Sequence, residues 1–540
     1  MKKRKLLSVI LSAVMVLALT ACGGSGSGSG TAAPAANSGA AAPAANAGDN
    51  AAAPAASSKP IVVNVNEPGN SLVSLEFYKY SLHPEWQYAE MVYDALLEAS
   101  YDGDFKPGLC QSYEMSDDGL TATLHLAENV KFQDGTVCDA DDVVCTLNYL
   151  AENKETLAMI SAVWANLGSA EKIDQNTVKV NLTKASHVFD IALGYSFIFS
   201  DEDFAAHGDK MWVDGVVNGT GPWKYVEWID GQYIKFNRND DYWQGVSTNI
   251  DEISIWYISE KSTAVSSMIS GDIDACGSLD NDLVAMLQGD DSVEVYTAVL
   301  DSLSYLQFKC GPGDAFEDIN LRKAAMHAIN MESLINLYGG GQVLGCAATP
   351  GNAGYCEDLT PYEYNPEKAK EYLAQSNYDG RELSFYSWAS YTNELTSVAS
   401  DLGKIGINVK ICPVDSAEFS SVRANGGYDF FYGGVATWDG DLMTQYMTPR
   451  ILNDCHSSGW VNEEVNQWLR DADVIINADE RAVLLEKVVR TMYENYGPIC
   501  GTVMKQSHSA VRKGLEGINF MKGGCMFFKR CTVDTSVWNQ

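Results

Sequence analysis

The chain has 540 residues, with 37 Lys and Arg against 71 Asp and Glu, and a formal charge of −34 at pH 7. So acidic a composition argues against nucleic acid or an anionic membrane face as partner, because both demand clustered Lys and Arg. Beyond an N-terminal stretch of atypical composition about 480 residues remain, enough for two or more lobes with sizeable cores.

Met1-Lys2-Lys3-Arg4-Lys5 is a compact cationic start, and Leu6 to Ala21 is almost wholly apolar, which is the pattern of a secretory signal. The run is shorter than the roughly 20 residues that a membrane span needs. Leu19-Thr20-Ala21-Cys22 sets small residues before a cysteine and resembles the bacterial lipobox, which implies cleavage ahead of Cys22 and lipidation of its thiol. Residues 1–21 are therefore read as a lipoprotein signal peptide. Residues 22–59, rich in Gly, Ser, Ala and Pro, are expected to form a disordered tether, because such a composition buries too little apolar surface to offset its ordering entropy. The body is expected at the outer face of the bacterial cytoplasmic membrane, held by the lipid on Cys22.

From residue 60 short strand and helix patterns alternate without internal repeats. Leu120, Ala122, Leu124 and Leu126 alternate with Thr121, Thr123 and His125, and Val178, Val180 and Leu182 repeat the period of a half-buried strand. In DADDVVCTLNYL (139–150), Asp139 caps a helix whose first turn holds Asp141 and Asp142. KSTAVSSMISGDID (261–274) reads as a helix closed by Gly271, and NPEKAKEYLAQ (365–375) as one capped by Asn365 with Pro366 in its first turn. The twelve cysteines after Cys22 are dispersed, without a CxxC. Cys145, Cys276 and Cys412 fall in apolar patterns and are expected in the core as free thiols; Cys346 with Cys356 is the one bridge left open.

VYDALLE (92–98), FKPGLCQSYEMSDDGLTATLHLAENVKFQDGT (105–136) and DADDVV (139–144) resemble the signature region of the extracellular solute-binding proteins of family five, the peptide and nickel binders of ABC transporters. NGTGPWKYVEWIDGQYIKFNRNDDYW (218–243), FEDINLRKAAMHAINMESLI (316–335), NPEKAKEYLAQS (365–376) and VASDLGKIGINVKI (398–411) continue the resemblance in order. Read physically, Gly219-Thr220-Gly221-Pro222 and Gln133-Asp134-Gly135-Thr136 are turns that build the scaffold, the glycines of the first being available for positive φ.

The resemblance implies an α/β, periplasmic-binding-protein-like fold of the large class, with an extra subdomain. Its first lobe would be discontinuous, 60–300 with 500–540, its second lobe 301–499, and ligand would lie in a cleft that closes about a hinge. It implies the extracytoplasmic substrate-binding component of an ABC importer, monomeric, delivering oligopeptides to a permease served by ATPase subunits. Oligosaccharides or another small oligomeric solute are the alternative cargo, with a nickel or haem-linked ligand behind them. No cofactor and no protein-bound metal are expected.

In GYDFFYGGVATWDGDLMTQY (427–446) a buried strand, YDFFYGG, leads into Trp438-Asp439-Gly440-Asp441. Peptide-binding relatives resemble this with a Trp, two residues and an Asp whose carboxylate pairs with the peptide's α-ammonium, and Trp438 and Asp441 match that spacing. The continuation, Leu442-Met443-Thr444-Gln445, departs from the relatives' aromatic and proline-acid-proline run, so the amine partner stays open between Asp439 and Asp441, with a solvated turn as the bland reading. Tyr78, Trp86, Tyr355 and Tyr432 lie near segments that approach the cleft in the family, and Tyr355 and Tyr432 are the further ligand candidates. An extracellular hydrolase is the remote alternative: HExxH and GxSxG are absent, seven histidines are scattered, and Cys455-His456 lacks ligand spacing. There is no GxxxxGK[ST] loop, so ATP hydrolysis falls to partner subunits and the chain is expected not to be an enzyme.

Overall fold

The computed structural model describes residues 59–67, 71–80, 83–100, 105–161, 163–436, 458–520 and 524–538. Cys22, Trp438, Asp439, Asp441 and the Cys455-His456 pair lie outside the described residues, as do the expected signal and almost all of the expected tether.

An eleven-stranded sheet organises the molecule. Its strands, numbered in chain order, are β1 (Val62–Asn66), β2 (Trp223–Ile229), β3 (Tyr233–Arg238), β4 (Glu252–Trp256), β5 (Ala275–Leu279), β6 (Val293–Phe308), β7 (Gly341–Val343), β8 (Leu383–Trp388), β9 (Val409–Val414), β10 (Phe430–Ala436) and β11 (Ile499–Arg512). The spatial order is β9-β8-β10-β6-β11-β5-β1-β4-β3-β2, with β7 added on β11. β6 and β11, antiparallel and far longer than their neighbours, join two halves. In one half β1 runs parallel to both β4 and β5; in the other β8 runs parallel to β9 and β10.

Among the described residues two large hydrophobic cores make this a two-lobe fold, beside a small third cluster that includes Met268, Cys276, Leu279 and Ala510. The first is built from residues between Val63 and Ala275 together with the C-terminal stretch from Val511 to Trp538. The second draws on residues between Leu303 and Met504. The burial of β6 changes between them: Glu294–Val299 is exposed, whereas Leu300–Phe308 is buried. A four-stranded antiparallel sheet extends the first lobe; in it Ala122, Leu124 and Leu126 face the core as the alternation predicts, while Leu120 stands outside the strand and is exposed.

Local signals hold where the chemistry is local. Asp139 caps the helix Ala140–Asn153 in a full capping box with Asp142. Gly271 ends the helix Lys261–Ser270 at φ 82°, and Asn365 caps Pro366–Gln375. The expected role of Gly219 and Gly221 is corrected: neither has positive φ. Both are small because the chain passes over the end of the helix His83–Val92; a Cβ at Gly219 would overlap the Val92 carbonyl oxygen, and one at Gly221 would lie 2.6 Å from its carbon. The open Cys346–Cys356 bridge is also corrected, since all eleven described cysteines are free. The Cys346 and Cys356 thiols point to the carbonyls of Ala348 and Gly354. Cys276 is buried as expected, but Cys145 and Cys412 are only half-buried.

Three of the stretches that carry the family resemblance, 92–98, 105–136 and 218–243, meet in one knot around Asp94 of the VYDALLE segment. Its carboxylate accepts from Trp243 Nε1 (2.7 Å), Lys529 Nζ (2.9 Å), Tyr242 Oη (3.1 Å) and Thr220 Oγ1 (3.1 Å). Nearby, Gln133 Nε2 donates to the carbonyls of Trp223 at 2.8 Å and of Val92 and Gly221 at 3.2 Å. Burial raises the Asp94 pKa, but the Lys529 ammonium and the donors outweigh it and hold the carboxyl below its ordinary range. These motifs are scaffold, as the turn reading implies.

Candidate functional site at the strand crossover

Strand direction places the site. β5 pairs antiparallel with β11, with Ala275 opposite Val511 and Leu279 opposite His508, so the carboxyl ends of β5 and of β1 beside it point along β11 toward its middle. From the other lobe β10 runs antiparallel to β6 and ends with Ala436 opposite Ser302. Between these ends the β6–β11 ladder loses register: Val299 faces Gln506, but Leu303 faces Met504. Carboxyl ends of parallel strands, where loops diverge, are where open α/β sheets bind ligands. Three residues of β6, Leu300-Asp301-Ser302, stand against the single Lys505 of β11 and form the irregular joint between the lobes, a local break in pairing of the kind that lets a strand bend.

Asp301 anchors that joint to the second lobe. It is buried and accepts from Thr349 Oγ1 and from Asn352 Nδ2 (3.2 Å). On β11 the Lys505 ammonium sits 5.6 Å from the ring centre of Tyr391 and 5.8 Å from that of Tyr338, a cation–π clasp. No carboxylate among the described residues pairs with Lys505. The Tyr338 hydroxyl is closed to solvent and has no hydrogen-bond partner among the described residues. Burial, with Tyr432 and Glu394 close by, pushes that phenol well above its ordinary pKa. Gly339, Gly340 and Gly341 all take positive φ here, and side chains at the first two would strike Asn281 and Gln506. Asn281 in turn bonds the Gly339 carbonyl (3.0 Å) and His508 Nε2 (2.7 Å), linking the lobes beside the joint.

The lobes also meet away from the joint. Lys184 pairs with Asp473, and the Ile476 side chain packs over Gly119. Both first-lobe residues border the four-stranded sheet, and both second-lobe residues lie between the helices Glu463–Ala472 and Ala478–Glu494.

Of the residues singled out from sequence, Tyr432 is fully buried in β10 and offers no face to a ligand in this conformation. Its phenol, raised to about 12 by burial, is enclosed by Thr502, Tyr338 and Ser304. Tyr355 is half-buried against the second-lobe core, on the same loop as Asn352. Tyr78 and Trp86 are first-lobe core: the Tyr78 hydroxyl donates to the Phe197 carbonyl (2.7 Å), and Trp86 packs edge-on against Tyr195. Sequence reasoning missed Asp301, Tyr338, Tyr391 and Lys505. Asp301, a lone acid in the otherwise strand-like VLDSLSYL, was the readable signal; the other three come together only through the fold.

One group with mixed metal-ligating atoms occurs among the described residues, Glu67, His83 and Cys525, at the carboxyl end of β1. The separation of these positions in the chain hid it from pattern reading.

The family model for bacterial extracellular solute-binding proteins, family 5 (Middle), matches residues 104–451. The chain belongs to this family. This family-five chain is similar to Heme-binding protein A of Haemophilus influenzae, 27% identical over 449 residues that cover 76% of the chain and 81% of the relative. It is similar to the Glutathione-binding protein GsiB of Escherichia coli O1:K1, 24% identical over 488 residues, 86% of the chain and 93% of the relative. Among solved structures, the oligopeptide-binding protein AppA of Bacillus subtilis in complex with a nonapeptide superposes with a TM-score of 0.71 at 21% identity, covering 88% of this chain and all (100%) of that one. These relatives are binding proteins, not enzymes. Among the described residues no helix is long and apolar enough to cross a membrane.

Proposed function

We propose that this substrate-binding component of an ABC importer captures oligopeptides between its lobes and delivers them to a permease on closure. The observation that carries the reading is the convergence of β1 and β5 from one lobe and β10 from the other on the irregular joint at Leu300–Ser302. The Trp438-Asp439-Gly440-Asp441 segment leaves β10 two residues after it ends. In this reading Asp441, or Asp439, pairs with the peptide's α-ammonium, and Lys505 receives an anionic group at the other end of the cargo. A charge-assisted pair in a closing, water-poor cleft fixes the termini while leaving side chains free to vary.

Glutathione, named for one relative, is itself a short peptide; oligosaccharide and haem-linked cargo remain the competing readings, and aromatic faces such as Tyr355 and Tyr391 would carry a sugar. We further infer lobe bounds of 60–300 with 500–540 and 301–499, with Cys500, Val503 and Met504 beyond the later bound still packing in the second core, and a lipid anchor at Cys22 following a signal of residues 1–21.

Titration calorimetry with a free-amine peptide and its N-acetylated form tests the cargo. Removing one partner of a buried pair costs about 3–5 kcal/mol, so Asp441→Asn should weaken free-amine binding by two orders of magnitude or more and leave acetylated binding unchanged. If Asp439→Asn shows that effect instead, the contact moves to Asp439. Unchanged affinity in both variants removes the amine contact.

A further inference from the structure

The carboxyl end of β1 holds a second constellation, independent of the cargo. Glu67 is the first residue after β1, His83 opens the helix His83–Val92, and Cys525 lies in the C-terminal segment. Each offers one ligand atom, and these atoms all lie within 4.8 Å of one another. Glu67 is buried, and His83 and Cys525 are half-buried.

The hydrogen bonding of His83 is unlike that of the two buried histidines, His327 and His508. His327 joins the Glu363 carbonyl (2.7 Å) and the Tyr496 hydroxyl (2.9 Å), and His508 joins Thr297 (2.7 Å) and Asn281 (2.7 Å). Both ring nitrogens of His83, and Oε2 of Glu67, are closed to solvent and have no hydrogen-bond partner among the described residues. Buried polar atoms nearly always have partners, so three orphans at one point need a reason. His83 Nε2 stands 3.5 Å from Glu67 Oε1, within ion-pair range but without a hydrogen bond. Two tetrahedral ligands, each about 2.0–2.2 Å from one zinc ion, stand about 3.4 Å apart. Phe527, edge-on at 5.1 Å from the His83 ring, shields one side.

We propose that Glu67, His83 and Cys525 form a three-ligand site for Zn²⁺, with the fourth position left to water. A sulfur, an imidazole nitrogen and a carboxylate oxygen suit a borderline-soft ion, whereas Ca²⁺ and Mg²⁺ take oxygen ligands. The ion would clamp the C-terminal segment to the end of β1 that faces the crossover, tying together three parts of the first lobe that are distant in sequence.

The test uses the full chain, stripped with a chelator and titrated with Co²⁺ as a spectroscopic stand-in. One equivalent should produce a sulfur-to-cobalt charge-transfer band that Zn²⁺ abolishes. Cys525→Ser should lose the band while its metal-free unfolding temperature matches that of the parent chain. Glu67→Gln should keep the band and bind at least tenfold more weakly. Absence of the band in the parent chain overturns the proposal, as does an undiminished band in Cys525→Ser, which would put the cobalt on another thiol.

Discussion

Lys529→Met probes the knot that holds the first lobe together. Lys529 and Asp94 are almost wholly buried, with relative exposures of 5% and 4% at the side chains, and they sit 2.9 Å apart. Methionine keeps the stem's volume and removes the ammonium, leaving the Asp94 carboxylate with the neutral donors Trp243, Tyr242 and Thr220. Breaking one side of such a pair costs about 3–5 kcal/mol, most of it the penalty of the charge left behind. Urea unfolding at pH 7 should show that loss, and the double variant Lys529→Met with Asp94→Asn should recover part of it, because no charge is then stranded. The Asp94 pKa is depressed in the folded state, so its contribution is present above the unfolded value of about 3.9 and is lost as pH falls through the folded value. The gap between parent and Lys529→Met should therefore narrow in acid. A loss under about 1 kcal/mol at pH 7, or a gap that does not depend on pH, would refute the reasoning.

Glu90 gives the opposite sign. It is buried, neither carboxyl oxygen has a hydrogen-bond partner among the described residues, and burial raises its pKa to about 8 despite Lys529. Its penalty is absent below the unfolded value of about 4.3 and grows as pH rises toward 8, so Glu90→Gln should stabilise by up to about 3 kcal/mol at pH 7 and hardly at all at pH 4. Gly219→Ala should cost about 1–3 kcal/mol in the same assay, because the added methyl meets the Val92 carbonyl rather than a side chain that can move. Cys22→Ala should shift the protein from the membrane fraction to the medium or periplasm on fractionation; retention in the membrane would remove the anchor.

What was legible in the sequence was local. The capping box at Asp139 and the closing glycine at Gly271 act over a few residues, and both stand where pattern reading puts them. The Gly219 and Gly221 turn was legible as a turn, but its reason was not: the demand comes from Val92, more than a hundred residues earlier in the chain. The same distance hides the partners of Asp94, which come from segments near 220, 242 and 529. Tyr432 was picked out because aromatics near a cleft can stack on ligand, yet an aromatic in a central strand also fills core, and in β10 that use prevails. Lys505 carries no sequence pattern at all. Its meaning arises only where Tyr338 and Tyr391 close over it.

The most direct test of the central claim is a thermal-shift screen of the chain against free-amine peptides, their N-acetylated forms, oligosaccharides and haem. Ligand at about 100 times its dissociation constant adds on the order of 2.7 kcal/mol, a readily measured upward shift. Stabilisation by free-amine peptides alone is the predicted result. Stabilisation by sugars or haem, with none from peptides, would contradict it.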